Sequence, residues 1–183
     1  SFCQWCAAGT YSDLERATSI ATCINCLAGK YSDPDKLPLE FPADCLDCPP
    51  GTYSTEVAAP NASYCLPCPA GSWSDEPGIF LLADCILCAA GTYSTVPLQT
   101  SSDPCQYCPL GKYSNEPGIG LLSQCYGCAY GKYSAEQGGT ICLDCPFGKY
   151  SDETENDDPE DCRLCPEGTY LDETGSTSVE DCL

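Results

Sequence analysis

Histidine and methionine are absent from this 183-residue chain, tryptophan occurs twice, and only 7 residues are basic. Without histidine there is no imidazole base for nucleophilic catalysis, and no glycine-rich phosphate loop appears. Carboxylates are plentiful, but in loops with no burying core they titrate normally and make poor acid–base pairs. The sequence is therefore read as non-enzymatic. Against the 7 basic residues stand 27 acidic ones, a formal net charge of -20. That balance repels nucleic acid and anionic membrane surfaces and favours cations or basic proteins. Long apolar runs are missing too: no stretch approaches eighteen residues, so no membrane insertion is expected in this segment. The chain opens at Ser1-Phe2-Cys3 without a basic or apolar leader, which suggests a processed or internal fragment.

Large apolar side chains are equally scarce. Ile, Leu, Val and Phe together make 30 of the 183 residues, a share that with this charge would ordinarily mean disorder. Cysteine reverses that expectation. At 19 residues it reaches the density at which covalent cross-links replace core burial, and such chains belong to oxidising compartments. An extracellular or cell-surface location follows. Asn61-Ala62-Ser63, an N-glycosylation acceptor, fits that placement.

The cysteines recur at a fixed period. Cys-x-x-Cys pairs begin at Cys3, Cys23, Cys45, Cys65, Cys85, Cys105, Cys125, Cys142 and Cys162, mostly 20 residues apart, and such self-similarity outranks any local motif. Each pair is followed by x-x-Gly-x-aromatic. The aromatics are Tyr11, Tyr31, Tyr53, Trp73, Tyr93, Tyr113, Tyr133, Tyr150 and Tyr170, and Ser follows every one except the last, where Leu171 stands. A glycine there supplies a positive φ for a tight turn, and the aromatic can lie over a neighbouring bridge as a miniature core.

The unit resembles the ephrin-receptor-like cysteine-rich repeat, and its Cys-x-x-Gly-x-Tyr opening is similar to the simplest module of tumour necrosis factor receptor ectodomains. The resemblance covers essentially the whole chain. It implies bridges from the second Cys of each pair to the first Cys of the next: Cys6–Cys23, Cys26–Cys45, Cys48–Cys65, Cys68–Cys85, Cys88–Cys105, Cys108–Cys125, Cys128–Cys142, Cys145–Cys162 and Cys165–Cys182. Cys3 is left unpaired in this fragment. The spacing itself leaves other pairings open. Bridges inside each pair would strand Cys182 instead and leave the Gly-x-Tyr loops untethered. A zinc ribbon has similar spacing but is disfavoured by the odd count, the serial uniformity and the lack of His. A redox Cys-x-x-Cys would need a helix N-terminus, and no helical periodicity is present.

The implied modules run 6–25, 26–47, 48–67, 68–87, 88–107, 108–127, 128–144, 145–164 and 165–183, with 1–5 the end of a preceding module. The fold class is a small disulfide-rich repeat, an elongated tandem array with short β-hairpins, irregular loops and little or no α-helix. Length varies between the aromatic and the next Cys, as in a surface loop.

Three further features stand out. Ser74-Asp75-Glu76-Pro77-Gly78-Ile79-Phe80-Leu81-Leu82 returns as Ser114-Asn115-Glu116-Pro117-Gly118-Ile119-Gly120-Leu121-Leu122, so the Leu-Leu loops either pack on the adjacent module or form a lateral contact. The acidic run from Asp152 to Asp161 has oxygens for weak Ca²⁺ binding but lacks EF-hand spacing, and reads first as a solvated loop. No other cofactor is expected. The serines after the aromatics, with Thr10, Thr52, Thr92 and Thr169 before them, suit either turn hydrogen bonding or regular O-linked glycans. An array of this kind produces length, so the expected function is an extracellular structural rod, stalk or filament segment of a larger glycoprotein. Its partners would be other copies or modules of the same protein and glycans. The alternative is a receptor ectodomain binding protein ligands through loops that break the repeat.

Overall fold

The computed structural model describes residues 6–13, 19–36 and 44–183. Cys3 and the part of the long loop before Cys45 that spans 37–43 lie outside them. The described residues form two compact units, 1–86 with 96–102 and 87–95 with 103–183.

Local structure follows from the Gly-x-aromatic segment. In Pro49-Pro50-Gly51-Thr52 the Thr52 N–H donates to the Pro49 carbonyl at 3.1 Å, and Gly51 takes φ +79°. This is the type II turn, with Pro setting the second position and Gly the left-handed third. The Thr52 hydroxyl bonds the same carbonyl at 2.6 Å. A strand of two or three residues leaves the turn and pairs antiparallel with the residues around the next Cys-x-x-Cys, as Thr10–Tyr11 does with Ile24–Asn25 and Thr52–Tyr53 with Leu66–Pro67. Among the described residues there are eight such two-stranded sheets and no α-helix. Single 3-10 turns precede several closing cysteines, for example Ala62–Tyr64 and Pro159–Asp161.

Two strands alone are marginal in water, so each hairpin needs its neighbours. The aromatic strand's outer edge pairs in parallel with the following module: Tyr31 with Ala59, Trp73 with Gln99, Tyr93 with Ile119, Tyr133 with Asn156 and Tyr150 with Ser176. Three backbone bonds recur at these steps. The turn glycine donates to the carbonyl of the next module's Ser, as Gly29 does to Ser54 and Gly91 to Ser114, both at 2.8 Å. The Ser N–H donates onward, as Ser54 does to Ile79 and Ser134 to Asn156. A second left-handed residue donates back to the preceding module's bridge cysteine, as Gly78 does to Cys48 and Gly118 to Cys88. Glycine holds that second position at 78, 118, 138 and 175, whereas Ala58, Leu98 and Glu155 occupy it with φ 62°. Such a residue carries about 1–2 kcal/mol of left-handed strain.

The serine after the aromatic lies in this ladder. Ser32, Ser54, Ser74, Ser94, Ser114, Ser134 and Ser151 are between 0 and 4% exposed. Their environments differ in a way that can be tested. Ser32 Oγ accepts the Gly9 N–H at 2.8 Å and donates to the Pro60 carbonyl at 3.0 Å, whereas Ser54 Oγ is buried with no partner. Ser32→Ala orphans a buried N–H and is expected to cost about 1–3 kcal/mol. Ser54→Ala is expected to change stability by less than about 0.5 kcal/mol. Urea denaturation of the two variants measures the difference.

Candidate functional site

The bridges set the frame. Nine disulfides close Cys6–Cys23, Cys26–Cys45, Cys48–Cys65, Cys68–Cys85, Cys88–Cys105, Cys108–Cys125, Cys128–Cys142, Cys145–Cys162 and Cys165–Cys182. These are the pairs that the resemblance implies, and their Cα–Cα separations of 5.6 to 6.0 Å lie in the usual range. With these thiols oxidised, they offer neither thiolates for zinc nor a free redox pair. Cysteines are also most of the apolar interior: Cys26, Cys48, Cys68, Cys88, Cys108 and Cys128 are fully buried.

The aromatics meet this frame unequally. Tyr11 packs on Cys26 and Cys45, Tyr53 on Cys68 and Cys85, and Tyr93 on Cys108 and Cys125. In each case the bridge belongs to the next module. Tyr31, Trp73, Tyr113, Tyr133 and Tyr150 are half-buried, with Tyr113 also stacked at a tilt on Tyr126, centroids 6.3 Å apart. Tyr170 is exposed, its backbone tied in both directions to Leu183.

The Pro-Gly-Ile loops divide between inside and outside. Ile79 and Ile119 are buried against the bridges Cys68–Cys85 and Cys108–Cys125, while Leu81, Leu82, Leu121 and Leu122 stay 45 to 57% exposed. Sequence reading singles out the leucines and misses the isoleucines. The available signal is the Ile that follows Pro-Gly in both copies. The leucines are thus about half covered and half open to solvent, whereas the isoleucines are enclosed.

Of the two readings of the post-aromatic serines, regular O-linked glycans do not fit the seven from Ser32 to Ser151. Their hydroxyls are buried, and a transferase cannot reach them without unstacking the modules. Ser12 is half-buried. The threonines are turn residues: Thr10, Thr52, Thr92 and Thr169 each bond the carbonyl three residues back, at 2.6 to 2.7 Å.

Within the acidic run, Asp152 and Glu153 pair with Arg163, and Glu155 with Lys112 at 2.7 Å. Asp158 and Asp161 cap the 3-10 turn. Asn156, buried at its centre, donates to the Lys132 carbonyl, Ser151 Oγ and the Glu153 carbonyl. The carboxylates of Asp152, Glu153, Glu155, Asp158 and Asp161 thus serve structural bonds, and no three of the described acidic, His or Cys side chains form a metal-holding group. Each described basic side chain is engaged as well: Lys30 with Asp47, Lys36 with Asp33, Lys132 with Asp144 and Lys149 with the Pro159 carbonyl. The surplus negative charge is left facing solvent.

Two modules depart from the common loop length: Cys26–Cys45 spans 19 residues and Cys128–Cys142 only 14. In the shorter one the separation is 14 rather than 17 residues, and no 3-10 turn precedes Cys142, as none precedes Cys105. The shortened loop leaves a cavity of about 380 Å³ lined by Tyr133, Gly138, Ile141, Leu143 and Pro159 among others.

A disulfide-rich tandem repeat is thus defined, in which hairpin modules join through main-chain bonds and bury their cysteines. No protein-family model matches the chain, and no curated protein matches it. None of the helices among the described residues is long and apolar enough to cross a membrane.

Proposed function

We propose that the chain is an architectural segment of an extracellular glycoprotein, a disulfide-stapled rod, stalk or filament piece built by repetition and without catalytic activity. The observation that carries this reading is the recurring main-chain ladder, Gly29 to Ser54, Gly51 to Ser74, Gly111 to Ser134. Contacts made by the backbone demand little of the side chains, so modules can be added without redesign. The cysteine content supports an oxidising location, and the likeness to ephrin-receptor-like repeats supports an ectodomain. Exposed leucines at 81–82 and 121–122 supply contact surface toward other copies.

A ligand-binding ectodomain is the second reading, favoured by the cavity beside Ile141. Negative-stain electron microscopy and small-angle scattering of the secreted protein across a concentration series test the first. Thin particles that lengthen with concentration support a filament, and thin particles of fixed length a stalk. Rounded particles of fixed size would refute the architectural reading and favour the ectodomain.

A further inference from the structure

We propose that Asn61 carries an N-linked glycan, and that the fold keeps its side-chain nitrogen free for it. The inference rests on the extracellular reading above. Asn61-Ala62-Ser63 is the sole Asn-x-Ser/Thr triplet in the chain with a residue other than Pro at the middle position. Asn61 is the N-cap of the 3-10 turn Ala62–Tyr64 in the loop closed by Cys48–Cys65, and its backbone is extended, φ -166°.

The side chain divides its work between its two polar atoms. Oδ1 accepts the Ser63 N–H at 3.0 Å and the Ser63 hydroxyl at 2.5 Å. Nδ2 takes part in no hydrogen bond with any described residue. The cap therefore needs the oxygen alone, and the nitrogen is the atom to which a sugar attaches. Asn61 is half-buried and Ala62, Ser63 and Tyr64 are exposed, so the sequon lies on an open stretch of surface. Other modules place Ser19, Leu81, Leu121, Asp158 or Ser178 at the same cap, none of which offers an amide nitrogen.

The co-reactant is an oligosaccharide linked to a polyprenyl pyrophosphate, delivered by an oligosaccharyltransferase of the secretory lumen. A bond forms from Asn61 Nδ2 to the anomeric carbon, the bond from that carbon to the pyrophosphate oxygen breaks, and the pyrophosphate leaves with the electron pair. Nδ2 gives up one proton and keeps the other. The product retains Oδ1, so the folded module holds the glycan without losing its cap, whether transfer precedes or follows closure of Cys48–Cys65.

Secretion of the full chain from cultured animal cells, with intact-mass measurement before and after peptide-N-glycosidase, tests the proposal. The wild type and Ser63→Thr are expected to carry a mass increment that the enzyme removes, leaving Asp at that position. Ser63→Ala and Asn61→Asp are expected to carry none. Asn61→Asp keeps an oxygen cap like that of Asp158, so its secretion separates loss of the glycan from loss of the fold. An unmodified wild type, secreted beside a control glycoprotein that is modified, would overturn the proposal. Thiol alkylation of the same material separates that failure from failure of the extracellular reading. Eighteen cysteines that resist alkylation, with no glycan, leave the extracellular reading standing, whereas abundant free thiols remove it as well.

Discussion

Complete reduction of the chain at neutral pH and room temperature is expected to abolish its hairpins and stacking together. Each bridge spans 14 to 19 residues, and closing a loop of that size withdraws roughly 3 kcal/mol of chain entropy from the unfolded state. Nothing else in the molecule can replace that contribution. The buried apolar residues are mainly the cysteines themselves, joined by Ala59, Ile79, Ile119 and Leu171, and hairpins of two residues per strand do not persist alone. The expected result is loss of amide-exchange protection at Gly29, Gly51, Gly91 and Gly131, whose N–H groups cross between modules. Reoxidation should restore it. A reduced chain that kept those amides protected would show that the main-chain ladder is sufficient by itself.

Replacing Gly91 by alanine is expected to be among the most damaging small substitutions, and Gly148→Ala is its control. Both glycines hold positive φ, +79° and +73°, so both substitutions incur about 1–2 kcal/mol of left-handed strain. Their surroundings differ. A Cβ on Gly91 would lie 2.1 Å from the Gly138 carbonyl oxygen and 2.7 Å from its carbon, while a Cβ on Gly148 meets nothing within 4 Å. The obstacle at Gly91 is backbone, held in turn by the Gly138 N–H on Cys108, and cannot swing aside as a side chain would. Forcing the two apart adds overpacking of about 1–3 kcal/mol. Gly91→Ala should therefore lose about 1–3 kcal/mol more stability in urea than Gly148→Ala loses. It should also unprotect the Gly138 amide, two modules away. Equal losses would mean that the close approach plays no part in choosing glycine.

That contact over two modules marks the boundary of what the sequence made legible. The period, the turn glycines and the hairpins could be read from spacing, because each is a local demand made by a type II turn beside a cysteine. The packing of an aromatic on a neighbouring bridge was legible for Tyr11, Tyr53 and Tyr93, which cover the bridge of the next module, but not the exposure of Tyr170. The sequence left the serines open between turn bonding and glycans, and did not show that the site needs a small residue whose backbone bonds in two directions. Ile79 and Ile119 were hidden beside more conspicuous leucines. Each miss has the same cause, since a parallel pairing between modules leaves almost no trace in side-chain pattern. Pairing through main-chain atoms accepts Ala59, Gln99, Asn156 and Ser176 at equivalent places.

The connectivity of the bridges has a mechanical consequence. A pull along the chain passes from Cys48 through sulfur to Cys65, along two residues to Cys68, and through sulfur again to Cys85. The loops between bridged cysteines carry no load. A module can then lengthen only to the 5.6 Å Cα–Cα span of its bridge plus three peptide steps, about 16 Å, against roughly 70 Å for twenty free residues. Even with every hydrogen bond torn, the tether remains short and nearly inextensible. A shear or tug that would unravel an ordinary domain reaches covalent resistance here after a small extension.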